Sequence, residues 1–219
     1  MIDRTCASSY VHTALSAVED RICMGSKQIV RLSTQEVLDC DKTSNGCKGG
    51  YVNRVLSWGK RKGFVPETCY TKSTDPKYVC ELENLSENEC RQNQNIYKVV
   101  DFCLASETEG IKREIMTNGP VVGQMSPFTD FLVYSSGDYQ RTSEAFKYNG
   151  NHVVKIFGWK KTPDGSSAWL IENSWGESWG DHGFGQVLSN GESMLDYFAI
   201  GLAVYPTSIA EYQRSQQQQ

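Results

Sequence analysis

No stretch of the chain approaches the ~20 consecutive apolar residues that a membrane-spanning helix needs, so a helical membrane span is not expected. Positive charge is not in excess. There are 22 Lys and Arg against 26 Asp and Glu, a net charge of -4. That leaves no basic face of the kind that nucleic-acid binding requires. There is no CxxC pair, and only three histidines occur: His12, His152 and His182. Zinc-ligand spacings are therefore lacking, and no metal is expected. No internal repeat is visible. The opening residues "MIDRTC" have no apolar core of the signal-peptide kind. No cysteine follows Cys103.

What is present is concentrated. All eight cysteines, Cys6, Cys23, Cys40, Cys47, Cys69, Cys80, Cys90 and Cys103, lie in the first half of the chain. An even count confined to one region reads as a disulfide-stapled lobe formed in an oxidising compartment. One glycosylation sequon, Asn84-Leu85-Ser86, agrees with secretion. The 219 residues allow one large domain or two small lobes, long enough for a real core.

Periodicity divides the chain near Ala105. Tyr10, Ala14, Val18 and Ile22 recur at helical spacing, predicting a helix over 8–22 with one apolar face. Ser33 with Glu36 predicts a capping box opening a short helix. "SNGCKGG" (44–50) is a glycine-rich turn. A further helix is expected from about 51 to 62, stopping at Gly63. From Pro66 to about Asn95 the chain reads as a polar, Cys-rich loop. Ser106 with Glu109 predicts a second capping box, on a helix that stops at Asn118-Gly119-Pro120. Runs rich in β-branched and aromatic residues follow: "PVVGQM", "HVVKIFGW", "SAWLIEN", "FGQVL" and "YFAIGLAVY". They predict an antiparallel sheet or barrel. The expected organisation is a helical, Cys-rich lobe over 1–104, a β-rich lobe over 105–212, and a disordered Gln-rich tail over 213–219.

Three positions carry candidate chemistry. A helix N-terminus near Ser9 offers unpaired N–H groups and partial positive charge, which suit a nucleophile or an anion. His152 enters a strand after a glycine-containing segment. Asn173 precedes Trp175 and Trp179. Taken singly, such a His is more often structural, and such an Asn is usually a turn former. Their order along the chain is far more specific.

The stretches "TCASSYVHTALSAVEDRIC", "LSTQEVLDCD", "NGCKGG", "VPETC", "TNGPVVGQM", "NHVVKIFGW" and "ENSWGESWGDHGFG" resemble the papain-like cysteine peptidases, in particular their cathepsin B and cathepsin X/Z branch. The resemblance implies an α+β fold of two lobes, a helical disulfide-bonded left lobe and an antiparallel β-barrel right lobe, with a cleft between them. It implies that a nucleophilic Cys on the first helix works with His152, that Asn173 orients the His, and that Trp175 forms a lid. Gly49 and Gly50 match the stretch that pairs with substrate backbone, and Tyr10, Trp175 and Trp179 are candidate cleft residues. It implies the disulfides Cys6–Cys47, Cys40–Cys80 and Cys69–Cys90, leaving Cys23 and Cys103 unassigned. No cofactor is expected.

The departures from the pattern set the functional expectation. Where the family has Cys-Gly-Ser-Cys-Trp, this chain has Cys6-Ala7-Ser8-Ser9-Tyr10. Ser9 takes the nucleophile's place, and Asp3 falls where the family's oxyanion glutamine lies. A carboxylate cannot donate to an oxyanion, and losing one such donor costs ~3 kcal/mol, or roughly 10²–10³ in rate. A serine hydroxyl also needs a general base that a preformed thiolate does not. The expectation is a pseudopeptidase acting as a structural or interaction subunit or as a peptide-binding module. The alternative is an active peptidase in which Ser9, or a Cys engineered to Ser, is the nucleophile and His152 the base. The expected partner is a protein or peptide, or a larger assembly covering the face left by the N-terminal segment that family members carry before this point. By cysteine content and family, the compartment is the secretory pathway, lysosome or extracellular space. With no signal peptide visible, an organellar or cytoskeletal assembly is the alternative.

Overall fold

The computed structural model describes residues 6–71, 80, 88–148, 150–192 and 194–217. Their contacts group them into two compact units. The first takes the described residues of 4–102 and 202–219, and the second those of 103–201.

The first unit is built on helices. Helix α1 (Ser9–Ser26) buries Tyr10, Ala14, Val18 and Ile22, with Val11 and Leu15 filling the same face. It runs one turn past the predicted end and stops at Lys27, whose left-handed backbone lets its N–H reach Cys23 O at 2.8 Å. Helix α2 (Thr34–Cys40) opens as predicted, with Ser33 Oγ accepting the Glu36 N–H at 3.0 Å. The return half of that capping box is absent. The Ser33 N–H donates to Val65 O instead, and the Glu36 carboxylate is taken by Arg91. Helix α3 (Val52–Arg61) buries Val52, Val55, Leu56 and Trp58. The chain then turns at Gly63 with φ +77°, a left-handed value that favours glycine. Helix α4 (Glu89–Gln92) lies in the segment read as loop, capped by the Asn88 side chain.

All three disulfides implied by the resemblance are formed: Cys6–Cys47, Cys40–Cys80 and Cys69–Cys90. They fix the starts of α1 and α4 and the end of α2. Cys23 is half-buried and unpaired, and Cys103 is exposed and unpaired.

Strand β1 (Val99–Ser106) was not anticipated from the sequence and leads straight into helix α5 (Glu107–Asn118). The second predicted capping box does not form. Glu107 adopts φ 61° and its N–H is held by Tyr197 O at 3.0 Å, while Glu109 pairs with Lys112 at 2.8 Å. The predicted stop is real, because Gly119 takes φ +100° and its N–H closes on Ile115 O.

The remaining strands are β2 (Val121–Met125), β3 (Asp138–Tyr139), β4 (His152–Lys161), β5 (Ser167–Glu172), β6 (Phe184–Leu188) and β7 (Phe198–Val204). They form one sheet in the order β1-β7-β2-β4-β5-β6-β3. The β2–β4, β2–β7, β4–β5 and β5–β6 pairs are antiparallel, and β3–β6 is parallel. Each predicted β run holds one of these strands, with β4 continuing two residues past its run to Lys161. The core of this unit packs Ile111 and Ile115 of α5 against Val121, Met125, Val154, Ile156, Trp169, Ile171 and Val187 of the sheet. The fold class is thus mixed α+β, as expected.

The tail differs from the compositional reading. Helix α6 (Ile209–Gln217) continues into the Gln-rich segment. It is tied down by the Ile209 and Ala210 N–H groups, bonded to Ile96 O and Gln94 O, and by Tyr212 packed on Tyr205. Contacts group 202–219 with the helical unit rather than with the sheet.

Candidate active site

In the sheet unit the register does the positioning. Strand β4 pairs with β5 antiparallel, with Lys155 opposite Glu172. Carried past the end of β5, that register sets Asn173 and Trp175 beside the start of β4, where His152 lies. His152 Nε2 is 2.7 Å from Asn173 Oδ1. The same amide oxygen accepts the Ser174 N–H at 2.8 Å, which fixes the amide orientation. An amide oxygen only accepts, so His152 donates through Nε2–H, and its neutral tautomer carries the lone pair on Nδ1. The Trp175 ring stacks on the imidazole at 4.4 Å with a 29° interplanar angle. Trp175 is braced edge-on by Trp179 and Phe131, both at 5.7 Å.

Burial decides the charge of His152. The side chain is 5% exposed. Removal from water pushes its pKa down from 6.5 to about 4, partly opposed by the bond to Asn173. At neutral pH it is an uncharged imidazole of low basicity.

In the helical unit, Ser9 is the first residue of α1 and is half-buried. Ala7 N–H donates to Cys47 O at 2.9 Å, alongside the Cys6–Cys47 disulfide. Tyr10, read as a cleft residue, is 2% exposed. Its hydroxyl donates to Gly46 O at 3.0 Å. Its pKa is pushed up to about 12, first by burial and then by the nearby Asp41 charge, so the phenol keeps its proton. A Cβ on Gly50 would lie 2.4 Å from the Tyr10 ring, so only glycine fits there. Gly49 takes φ +104°. Both its main-chain groups serve the turn, N–H to Gly46 O and C=O to the Asn45 N–H.

The structure therefore gathers His152, Asn173 and Trp175 in one unit, and Ser9, Tyr10, Gly49 and Gly50 in the other. Trp179, also read as a cleft residue, is 5% exposed and belongs to the core, with Nε1 bonded to Phe131 O at 2.8 Å. Asp3 and the sequon Asn84-Leu85-Ser86 lie outside the described residues. Sequence reading missed Gly183, whose carbonyl takes the Asn173 N–H at 2.9 Å. The signal was the glycine in "GDHGFG", at φ +93°. No His, Cys, Asp and Glu cluster suited to a metal ion occurs among the described residues.

Residues 3–200 match the model of the papain family cysteine proteases. The chain belongs to the papain family. It is 34% identical over 191 residues to a cathepsin B of Dictyostelium discoideum, covering 81% of this chain and 60% of that protein. It is 33% identical over 204 residues to a gut-specific cysteine proteinase of Caenorhabditis elegans, covering 84% of this chain and 61% of that protein. It is also 29% identical over 230 residues to a human tubulointerstitial nephritis antigen-like protein, covering 90% of this chain and 49% of that protein. The chain thus spans about half to three fifths of the length of these curated relatives. Among solved structures, procathepsin B S9 from Trypanosoma congolense matches with a TM-score of 0.78 at 24% identity, over 94% of this chain and 72% of that one. The ragweed pollen cysteine protease Amb a 11 in its proform matches with a TM-score of 0.75 at 21% identity, over 90% of this chain and 59% of that one. The fold is papain-like.

Proposed function

We propose that this papain-family chain has lost peptidase chemistry and acts as a structural or interaction subunit, or as a peptide-binding module. The observation that carries the reading is Ser9 as the first residue of α1, in the place of the family's nucleophilic Cys. A thiol at a helix N-terminus ionises readily, whereas a serine hydroxyl must lose its proton to a base during attack. His152 is the base the family supplies, and burial holds it at about 4. A base so far below neutrality is a poor proton acceptor for a hydroxyl. Asp3, aligned with the oxyanion donor, adds a group that cannot donate. The relatives include one named cathepsin B, one named a cysteine proteinase and one named tubulointerstitial nephritis antigen-like.

What is retained suits binding. Gly50 keeps its place against the Tyr10 ring, and because the turn uses both main-chain groups of Gly49, strand-like pairing with a peptide falls to Gly50. The partner is accordingly an extended peptide or a protein that presents one, alone or within a larger assembly. Three disulfides support passage through an oxidising compartment, in the secretory pathway, lysosome or outside the cell.

The second reading is an active serine-type peptidase. The His152–Asn173 pair, with its Nδ1 lone pair, favours it, since this is the tautomer a base needs. Turnover of dibasic and hydrophobic peptide libraries by the native chain, Ser9→Cys and His152→Ala separates the two readings. Calorimetry with product-like peptides, and size-exclusion chromatography of the native protein, then distinguish a peptide binder from an assembly subunit.

A further inference from the structure

We infer that the Cys69–Cys90 disulfide is a redox-sensitive latch that holds Arg91 on a buried carboxylate and thereby fixes the ends of α2 and α3. Glu36 lies inside the helical unit with its side chain 0% exposed. Its charge is met by Arg91, whose Nε and Nη2 reach Glu36 Oε1 at 3.1 and 2.9 Å. The same guanidinium donates from Nη1 to Lys62 O at 2.7 Å and from Nη2 to Gly63 O at 3.1 Å. One side chain therefore ties the first turn of α2 to the chain leaving α3. The glycine turn 44–50 runs between these two helices.

Arg91 is delivered by α4, which has four residues and is too short to hold itself. Among the described residues, two tethers hold it at Cys69. Cys90, next to Arg91, is bonded to Cys69. The Asn88 side chain accepts the Cys90 and Arg91 N–H groups and donates to Cys69 O at 2.9 Å. Both tethers converge on Cys69, and both cysteines are half-buried rather than sealed. A dithiol reductant transfers two electrons and two protons. The S–S bond breaks, Cys69 and Cys90 become thiols, and the reductant closes to its own disulfide. With the covalent tether gone, α4 lifts, and Glu36 loses the guanidinium that meets its charge and keeps only the main-chain bond from Val65. The helix ends at Ser33–Glu36 and Lys62–Gly63 then loosen together. None of this rests on the loss of peptidase chemistry.

Native-state hydrogen exchange tests the latch. Cys69→Ser/Cys90→Ser is compared with the wild type, and the wild type is also titrated with dithiothreitol with its thiols mapped by alkylation. The second arm stands if the variant does not fold. Opening the bond is expected to raise exchange at the Glu36 and Gly63 amides about tenfold or more, with the centre of α1 unchanged. Adding Glu36→Gln is expected to remove most of that increase, because no buried charge is then stranded. Faster exchange confined to 88–95, or an increase that Glu36→Gln leaves intact, would overturn the inference.

Discussion

Tyr10 is buried, and its phenol both packs on Gly50 and bonds to Gly46 O. Removing only the hydroxyl, in Tyr10→Phe, takes away one of the two donors on Gly46 O, which keeps the Gly49 N–H, and is expected to cost about 1 kcal/mol, read from urea midpoints. Gly50→Ala forces a methyl into the ring and is expected to cost about 1–3 kcal/mol. His152 makes a prediction with a definite sign. Its unfolded pKa of 6.5 falls to about 4 in the fold, so between those values the unfolded chain binds the extra proton. Stability is whole above pH 6.5 and is lost as the pH falls towards 4, by at most about 3 kcal/mol. The measurement is urea unfolding at pH 7 and pH 4.5, and His152→Gln should flatten the difference. The grouping of His152 with Asn173 and Trp175 was legible because each sits in a recognisable motif. The burial of Tyr10 and Trp179 was not, because an aromatic side chain reads the same in sequence whether it lines a cleft or fills a core.

At the scale of elements, patterns within one segment were readable and partnerships between segments were not. Helix α1, the stop at Gly119 and the strands β2, β4, β5, β6 and β7 follow from local periodicity and breakers. Glu36 was read as half of a capping box. Its actual partner, Arg91, lies 55 residues away on a helix that no periodicity announces. The second box failed for a related reason, as the Glu107 N–H found Tyr197 O, a partner from a distant strand end. Strand β1 escaped notice because its exposed residues, Val100, Asp101 and Leu104, fall on both faces and give no clean alternation. The Glu36–Arg91 pair predicts strong asymmetry. Arg91→Met, which strands the carboxylate, is expected to cost about 3–5 kcal/mol, whereas Arg91→Met with Glu36→Gln recovers much of that loss. Chemical denaturation of the two variants measures it.

For the molecule as a whole, the cysteine count and the resemblance agree with the three disulfides and the family match. Helix α6 reaches Gln217, and composition cannot see the main-chain bonds from Ile209 and Ala210 that start it. On the proposed reading, what the fold preserves and what Ser9 removes belong to different layers of the molecule. Packing and disulfides set the first, and the serine hydroxyl at the start of α1 sets the second. The most direct test is therefore catalytic. Peptide-library turnover should be measured for the native protein beside its His152→Ala variant. The account predicts that the two are indistinguishable and at background. Cleavage by the native protein that disappears in His152→Ala would contradict it.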